Sequence, residues 1–172
     1  IHAGVVGIGE RAVVIPGFSR SGKTTLVKEL IKNGADYFSD EYAVIDAAGL
    51  CHPFPRALGI RGQIKGSEQQ IDVSPTTLGA SIGERPLPVG LLLITEFRPD
   101  AVWEPVFPTI GEAMLEVMPH TISIGRNTHF AMNALKNMLG NAIIAKSSRG
   151  DAVKFTQAIL NFIDTKCNFS LK

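Results

Sequence analysis

The sequence predicts an α/β fold in one domain over residues 1–172. Three observations predict it. Apolar, β-branched runs alternate with segments of helical period, the pattern of strands followed by helices. A glycine-rich loop, Gly17-Phe18-Ser19-Arg20-Ser21-Gly22-Lys23-Thr24, stands between one such strand and one such helix. Apolar residues make up 45% of the chain and charged residues 19%, which supports a packed core at a length suited to one domain.

The elements follow in order. Residues 3–8 are short and apolar and read as a strand, Gly9-Glu10 as a turn, and 11–16 (Arg-Ala-Val-Val-Ile-Pro) as a second strand rich in β-branched residues. After the glycine-rich loop, 23–33 reads as a helix with Leu26, Leu30 and Ile31 on one face, stopped by Gly34. Residues 37–39 and 42–46 read as strand pieces around Asp40-Glu41, and Ala47-Ala48-Gly49 as a turn. The stretch 51–88 is rich in Pro, Gly, Ser and Thr and has weak periodicity, so loops and short elements are expected there, ending at Pro86-Leu87-Pro88. Residues 89–95 form the longest apolar run and suit a central strand. Helices are expected over 112–118, 130–139 and 151–164, and a late strand over 142–146. Trp103 and the phenylalanines read as core or lid packing.

Several function classes are disfavoured. The net charge is +1, so no global field directs the chain to nucleic acid or to an acidic membrane, and any anion site is local. No apolar run approaches the ~20 residues that span a bilayer. No basic segment followed by an apolar stretch marks a signal peptide, so a cytoplasmic location is expected. Cys51 and Cys167 lie far apart, outside any Cys-x-x-Cys pair, and read as reduced thiols. The chain starts at Ile1 rather than methionine, as a fragment would. His52, His120 and His129 lack metal-ligand spacing and receive no role.

The glycine-rich loop completes the pattern Gly-x-x-x-x-Gly-Lys-Thr between an apolar strand and an amphipathic helix, the P-loop signature. Successive N–H groups of such a loop form a concave anion nest, and the helix N-terminus adds about half a positive charge. Gly17 and Gly22 permit close backbone approach. The expected phosphate contacts are Gly17, Ser19, Arg20, Ser21, Gly22, Lys23, Thr24 and Thr25, although Thr25 also suits helix packing. Lys23 reaches the β- and γ-phosphates, and the Thr24 hydroxyl ligates a magnesium ion that bridges them. The expected cofactors are therefore a nucleoside triphosphate such as ATP and Mg2+.

Phosphoryl transfer also needs carboxylates. The run Leu91-Leu92-Leu93-Ile94-Thr95-Glu96 is a weak match to the strand that ends in Asp in common P-loop enzymes. Asp40-Glu41 is a closer pair. Gly34 ends the helix, residues 37–39 lead the chain back beside the loop, and the pair arrives near the phosphates, where one acid faces the acceptor as base and the other faces the metal.

The loop, the short helix and the carboxylate pair together resemble the HPr kinase/phosphorylase catalytic domain. Members carry His-Gly-Val, then Gly-Val-x-Ile-x-Gly-x-Ser-Gly-x-Gly-Lys-Ser, then Ala-Asp-Asp. Here His2-Ala3-Gly4-Val5, Val13-Val14-Ile15-Pro16-Gly17 and Ser39-Asp40-Glu41 stand at the corresponding places. Arg56-Ala57-Leu58-Gly59-Ile60 is similar to the family's Arg-Gly-Leu-Gly-Ile, and Gly125-Arg126-Asn127 to its late Gly-Arg-Asn. The resemblance implies a phosphoenolpyruvate-carboxykinase-like P-loop fold, a mixed sheet with flanking helices. It makes Asp40 the general base, Glu41 the neighbouring metal-site acid, His2 an active-site histidine and Arg126 a phosphate or substrate contact. It further implies a homo-oligomer, since the family commonly forms rings of six. Glu41, Phe54 and Ala57 depart from the pattern and count against phosphorylase activity and against HPr as substrate. The family's amino-terminal domain has no counterpart, as expected of a compact stand-alone relative.

Three functions follow. The first is an ATP-dependent kinase acting on a hydroxyl of a protein serine or a small molecule, with Lys23, Asp40 and His2 as catalytic residues and Thr24, Glu41 and Asp40 at the metal. The second is a nucleotide-binding regulator without turnover, favoured by Glu41 and Phe54. The third is a carboxykinase-like enzyme acting on an oxoacid, for which Arg56, Arg61, Arg98 and Arg126 show no unifying spacing. No nucleic-acid or membrane partner is expected.

Overall fold

A computed structural model describes residues 1–64, 67–167 and 169–171, with side chains outside that description from 61 to 70, Arg61 included. The first two strands, β1 (Ala3–Ile8) and β2 (Arg11–Pro16), form an antiparallel hairpin from Ala3↔Pro16 to Ile8↔Arg11. Helix α1 (Lys23–Lys32) follows the glycine-rich loop, and β3 (Asp36–Ser39) returns antiparallel to β1. Next come β4 (Val44–Ile45) and β5 (Leu50–His52), joined by the turn that Gly49 makes at φ 84°. The later elements are β6 (Leu58–Ile64), β7 (Ser67–Val73), β8 (Leu87–Phe97), α2 (Ile110–Val117), α3 (Thr128–Gly140), β9 (Ile143–Arg149) and α4 (Ala152–Lys166).

The main sheet has the order β3-β1-β2-β8-β5-β4, with β9 also on β8. β8 runs parallel to both β2 and β9. Because β1 is antiparallel to β2 and to β3, the carboxyl ends of β2, β3, β8 and β9 share one end of the sheet with the amino end of β1. That topology decides where the site lies. The fold is thus mixed α/β with helices on both faces.

The core is two-sided, so the central strands read as near-continuous apolar runs. Val13, Ile15, Leu91 and Leu93 pack with Leu26 and Leu30 of α1 and Phe155 and Ile159 of α4. Val14, Val89 and Leu92 pack with Val117 of α2 and Leu135 and Met138 of α3. A register shift between Ala12 and Val13 is why Val89 and Leu92 share a face despite their odd spacing.

Three expectations are corrected. The stretch 51–88 holds more than loops: β6 and β7 pair over seven residues each as a separate antiparallel hairpin, from Leu58↔Val73 to Ile64↔Ser67. The ribbon pairs only with itself, and although Leu58 is buried in the core with Ile60 packed against it, the rest of the stretch is too polar to show apolar alternation; residues 65 and 66 lie outside the described residues. The central strand is longer than 89–95 at both ends, beginning before Pro88, which sits opposite Leu50 near the strand's start where a missing N–H is tolerated. The late strand runs three residues past Lys146, because Ser147, Ser148 and Arg149 pair with Thr95, Glu96 and Phe97. Among the described residues, no helix is long and apolar enough to cross a membrane.

Gly49 shows how tightly the smaller strands dock. Its left-handed turn lies on α3, where Asn137 Nδ2 donates to the Ala47 carbonyl at 2.8 Å, and a Cβ at Gly49 would run into the backbone of Asn137 and Met138. Gly49→Ala is expected to destabilise the fold by about 2 kcal/mol or more, read from the shift in a urea unfolding midpoint.

Candidate functional site

Pro16 ends β2, and the chain turns through residues 17–22 into α1. The Gly17 amide donates to the His2 carbonyl at 3.3 Å, which fixes the start of the loop on the amino end of β1. Ser21 N donates to Phe18 O at 3.2 Å and closes a tight turn. Arg20 within it has φ 69°, a left-handed conformation that costs a non-glycine residue about 1–2 kcal/mol. Gly22, at φ 83°, is the N-cap of α1, and a Cβ there would collide with the Arg149 guanidinium. No side chain caps α1 and no acid lies in its first turn. By contrast, α2 is capped by Thr109, α3 by Asn127 and α4 by Asp151. The free N–H groups of α1 therefore point at the loop with the positive end of the helix dipole behind them.

Among the described residues, the charged side chains that are buried are Lys23, Asp40 and Arg149, 7%, 9% and 3% exposed, and all three stand at this loop. Lys23 Nζ donates to the Phe18 carbonyl at 2.7 Å. Burial pushes its pKa down from 10.5 to about 8; Asp40 opposes that shift and Arg149 adds to it. Arg149 Nη2 donates to the Ser21 carbonyl, and its guanidinium lies 5.7 Å from the centre of the Phe97 ring. Two buried cations against one buried acid make a local positive site in a chain of net charge +1.

The acid arrives from β3. Ser39 Oγ accepts from the amides of Glu41 (3.2 Å) and Tyr42 (3.0 Å), a side-chain turn that sets the conformation of Asp40-Glu41. Asp40 Oδ2 accepts from Thr24 Oγ1 at 3.0 Å. Its Oδ1 lies 3.1 Å from the Tyr37 hydroxyl, which is also 2.9 Å from the Arg56 carbonyl, so one proton serves one acceptor at a time. Burial first, then the Asp40 charge, drives the Tyr37 pKa up and keeps the phenol neutral. Glu41 turns aside, and its carboxylate accepts from Arg56 Nη1 at 3.2 Å.

His2 donates its amide to the His120 carbonyl at 2.7 Å. Burial first and Lys23 second lower the pKa of its imidazole, which favours the neutral form. His120, given no role from sequence, stands in the site: its ring centre is 4.3 Å from that of Phe18, its Nδ1 is buried with no hydrogen-bond partner, and burial, then His2 and Lys23, lower its pKa. Ser19, Arg20 and Thr25 are exposed, so Thr25 is not the packing residue its place in the helix suggested. Arg126 is exposed in the turn before α3 and does not line the cavity beside the loop.

That cavity, about 770 Å³, opens between the loop (Gly17, Phe18, Arg20, Ser21) and the ends of β8 and β9. Glu96 lines it and pairs with Arg98 at 2.9 Å. No cluster of three His, Cys, Asp or Glu side chains that could hold a metal occurs among the described residues. Thr24 and Asp40 nevertheless offer a hard-oxygen pair, and that set fits magnesium, which takes one or two carboxylates and completes its shell with phosphates and water.

No protein-family model matches the chain, and no curated protein does. The chain is similar to the solved structure of the Hpr(Ser) kinase/phosphatase from Coxiella burnetii, at 18% identity and a TM-score of 0.45, over 94% of this chain and 93% of that one. A likeness at that level carries no functional argument.

The depressed lysine makes a checkable statement. Its folded pKa lies below its ordinary 10.5, so between about pH 8 and 10.5 the unfolded chain binds more protons, and stability rises with pH across that window. The burial penalty is present in full below pH 8. Side-chain NMR of Lys23 is expected to titrate near pH 8, ahead of the other lysines, and Lys23→Met is expected to remove this component of the pH–stability profile.

Proposed function

We propose that the chain is an ATP-dependent kinase that transfers the γ-phosphoryl group to a hydroxyl of a protein or small molecule. One observation carries the proposal: the 3.0 Å hydrogen bond from Thr24 Oγ1 to Asp40 Oδ2, which joins the residue after the P-loop lysine to a buried carboxylate. Lys23 exchanges the Phe18 carbonyl for the β,γ-phosphates, and the uncapped amides of α1 hold the rest of the polyphosphate. Thr24 and Asp40 would hold magnesium, which Glu41 could join only by leaving its Arg56 partner; when bound, the ion would neutralise charge on the phosphate oxygens.

Asp40 accepts the proton of the acceptor hydroxyl. As the acceptor oxygen bonds to the γ-phosphorus, the bond from that phosphorus to the bridging oxygen breaks, and the nucleoside diphosphate leaves with the electron pair. Tyr37, neutral and pinned between Asp40 and the Arg56 carbonyl, orients the carboxylate. Burial first lowers the pKa of both His2 and His120, which favours their neutral imidazoles while no anion is bound.

A second reading, a nucleotide-binding regulator without turnover, is favoured by the Glu41–Arg56 ion pair, which leaves Asp40 alone to do the acid–base work. Incubation with ATP and Mg2+, alone and with serine peptides or polyols, separates the two. Hydrolysis or transfer that falls at least about a hundredfold in Asp40→Asn supports the kinase. Binding with no turnover supports the regulator. Lys23→Ala is expected to abolish tight ATP binding by calorimetry, and retained affinity would contradict both.

A further inference from the structure

We infer that the cavity between the loop and the ends of β8 and β9 is the nucleoside subsite, built for an uncharged ribonucleoside and not for the phosphoryl acceptor. The inference rests on the kinase reading above and deepens it.

In-line transfer sets the acceptor oxygen and the departing nucleoside diphosphate on opposite sides of the γ-phosphorus. Asp40 marks the acceptor's side. It stands at the end of β3, beyond β1, whereas the cavity opens on the other flank of the loop, toward β8 and β9. The sheet order β3-β1-β2-β8 thus places the loop between the two, and neither Thr24, Asp40 nor Glu41 lines the cavity. The diphosphate end of the nucleotide would then leave the loop toward the cavity on the opposite flank.

The lining suits that occupant. At about 770 Å³ the cavity is of small-molecule size. Phe18, Phe97 and Val106 line it and are 62%, 56% and 61% exposed, apolar surface that a heteroaromatic base would cover. Its charges are mostly spent on each other. Glu96 pairs with Arg98, and Glu116 with Lys146. Among the described residues two lining charges have no ion-pair partner: Arg20, on the loop side, and the Glu104 carboxylate on the far wall, whose amide donates to Ser147 Oγ at 3.2 Å. A lone carboxylate beside an apolar wall accepts hydrogen bonds from a ribose diol and repels a second anion.

The test compares Mg2+-ATP with Mg2+-tripolyphosphate by calorimetry. The native chain is expected to bind ATP at least about tenfold more tightly than tripolyphosphate, because only ATP fills the cavity. In Glu104→Gln/Val106→Ser, both exposed positions, ATP affinity is expected to fall about tenfold with tripolyphosphate affinity unchanged, which also reports that the loop is intact. Equal affinity of the native chain for the two ligands would overturn the inference. So would a double variant that keeps its ATP affinity and loses turnover, since the cavity would then hold the acceptor. If the native chain binds neither ligand, the loop assignment itself fails, an outcome distinct from the other two.

Discussion

The hydrogen bond between Thr24 and Asp40 spans β1 and ties the first turn of α1 to the end of β3. It forms because β1 runs antiparallel to both of its neighbours, so a chain that leaves β2 through the loop and a chain that leaves β3 through the Ser39 turn emerge at the same end of the sheet. Neither side chain could be held there alone. Burying a lone carboxylate costs several kcal/mol, and the cost falls only when partners satisfy its oxygens. Thr24 and Tyr37 do so by hydrogen bonds, and Lys23 does so through its charge. The three buried charges, Lys23, Asp40 and Arg149, form one electrostatic unit, and removing Asp40 would leave two buried cations without an acid to offset them.

That unit is biased toward anions. Lys23, His2 and His120 all have pKa values below their ordinary ones, and burial is the largest cause for each. The cations add to it: Arg149 and Lys23 disfavour further positive charge around them. An anion seated on the α1 amides reverses this repulsion and favours the protonated forms. Binding of an anion there would therefore be coupled to proton uptake, although the whole chain is nearly neutral.

Much of this was legible from sequence, and the reason is locality. The loop, its flanking strand and helix, and the turn at Ser39-Asp40-Glu41 are each encoded within a few residues, and the short return from α1 to β3 leaves the chain little freedom to place Asp40 elsewhere. Arg149 was not legible. It contacts Ser21 from 128 residues away, and its strand ends in Ser-Ser-Arg, which reads as loop. Hydrophobic periodicity reports burial, whereas the polar ends of β8 and β9 are strands because they pair with each other. His120 escaped for the same reason. Its place depends on a carbonyl bonded to the His2 amide and a ring against Phe18, neither of which leaves a spacing in the sequence.

The sheet end offers a second carboxylate, Glu96, near the end of β8 and a weak match to the strand-end acid of common P-loop enzymes, and physical chemistry separates it from Asp40. The Glu96 side chain is 72% exposed and its partner Arg98 65%, so their ion pair is worth at most about 1 kcal/mol and fixes neither group in place. Asp40 is buried, held by two hydroxyls and facing a buried lysine. A group that acts on a reacting atom has to be in position before the reaction begins, because reorganisation during the step adds to the barrier. Asp40 meets that condition and Glu96 does not. On the proposed kinase reading, the chemistry would thus fall to the β3 flank of the loop, and the β8 flank, with its exposed surface pairs and apolar wall, would be left to recognise the part of the ligand that does not react.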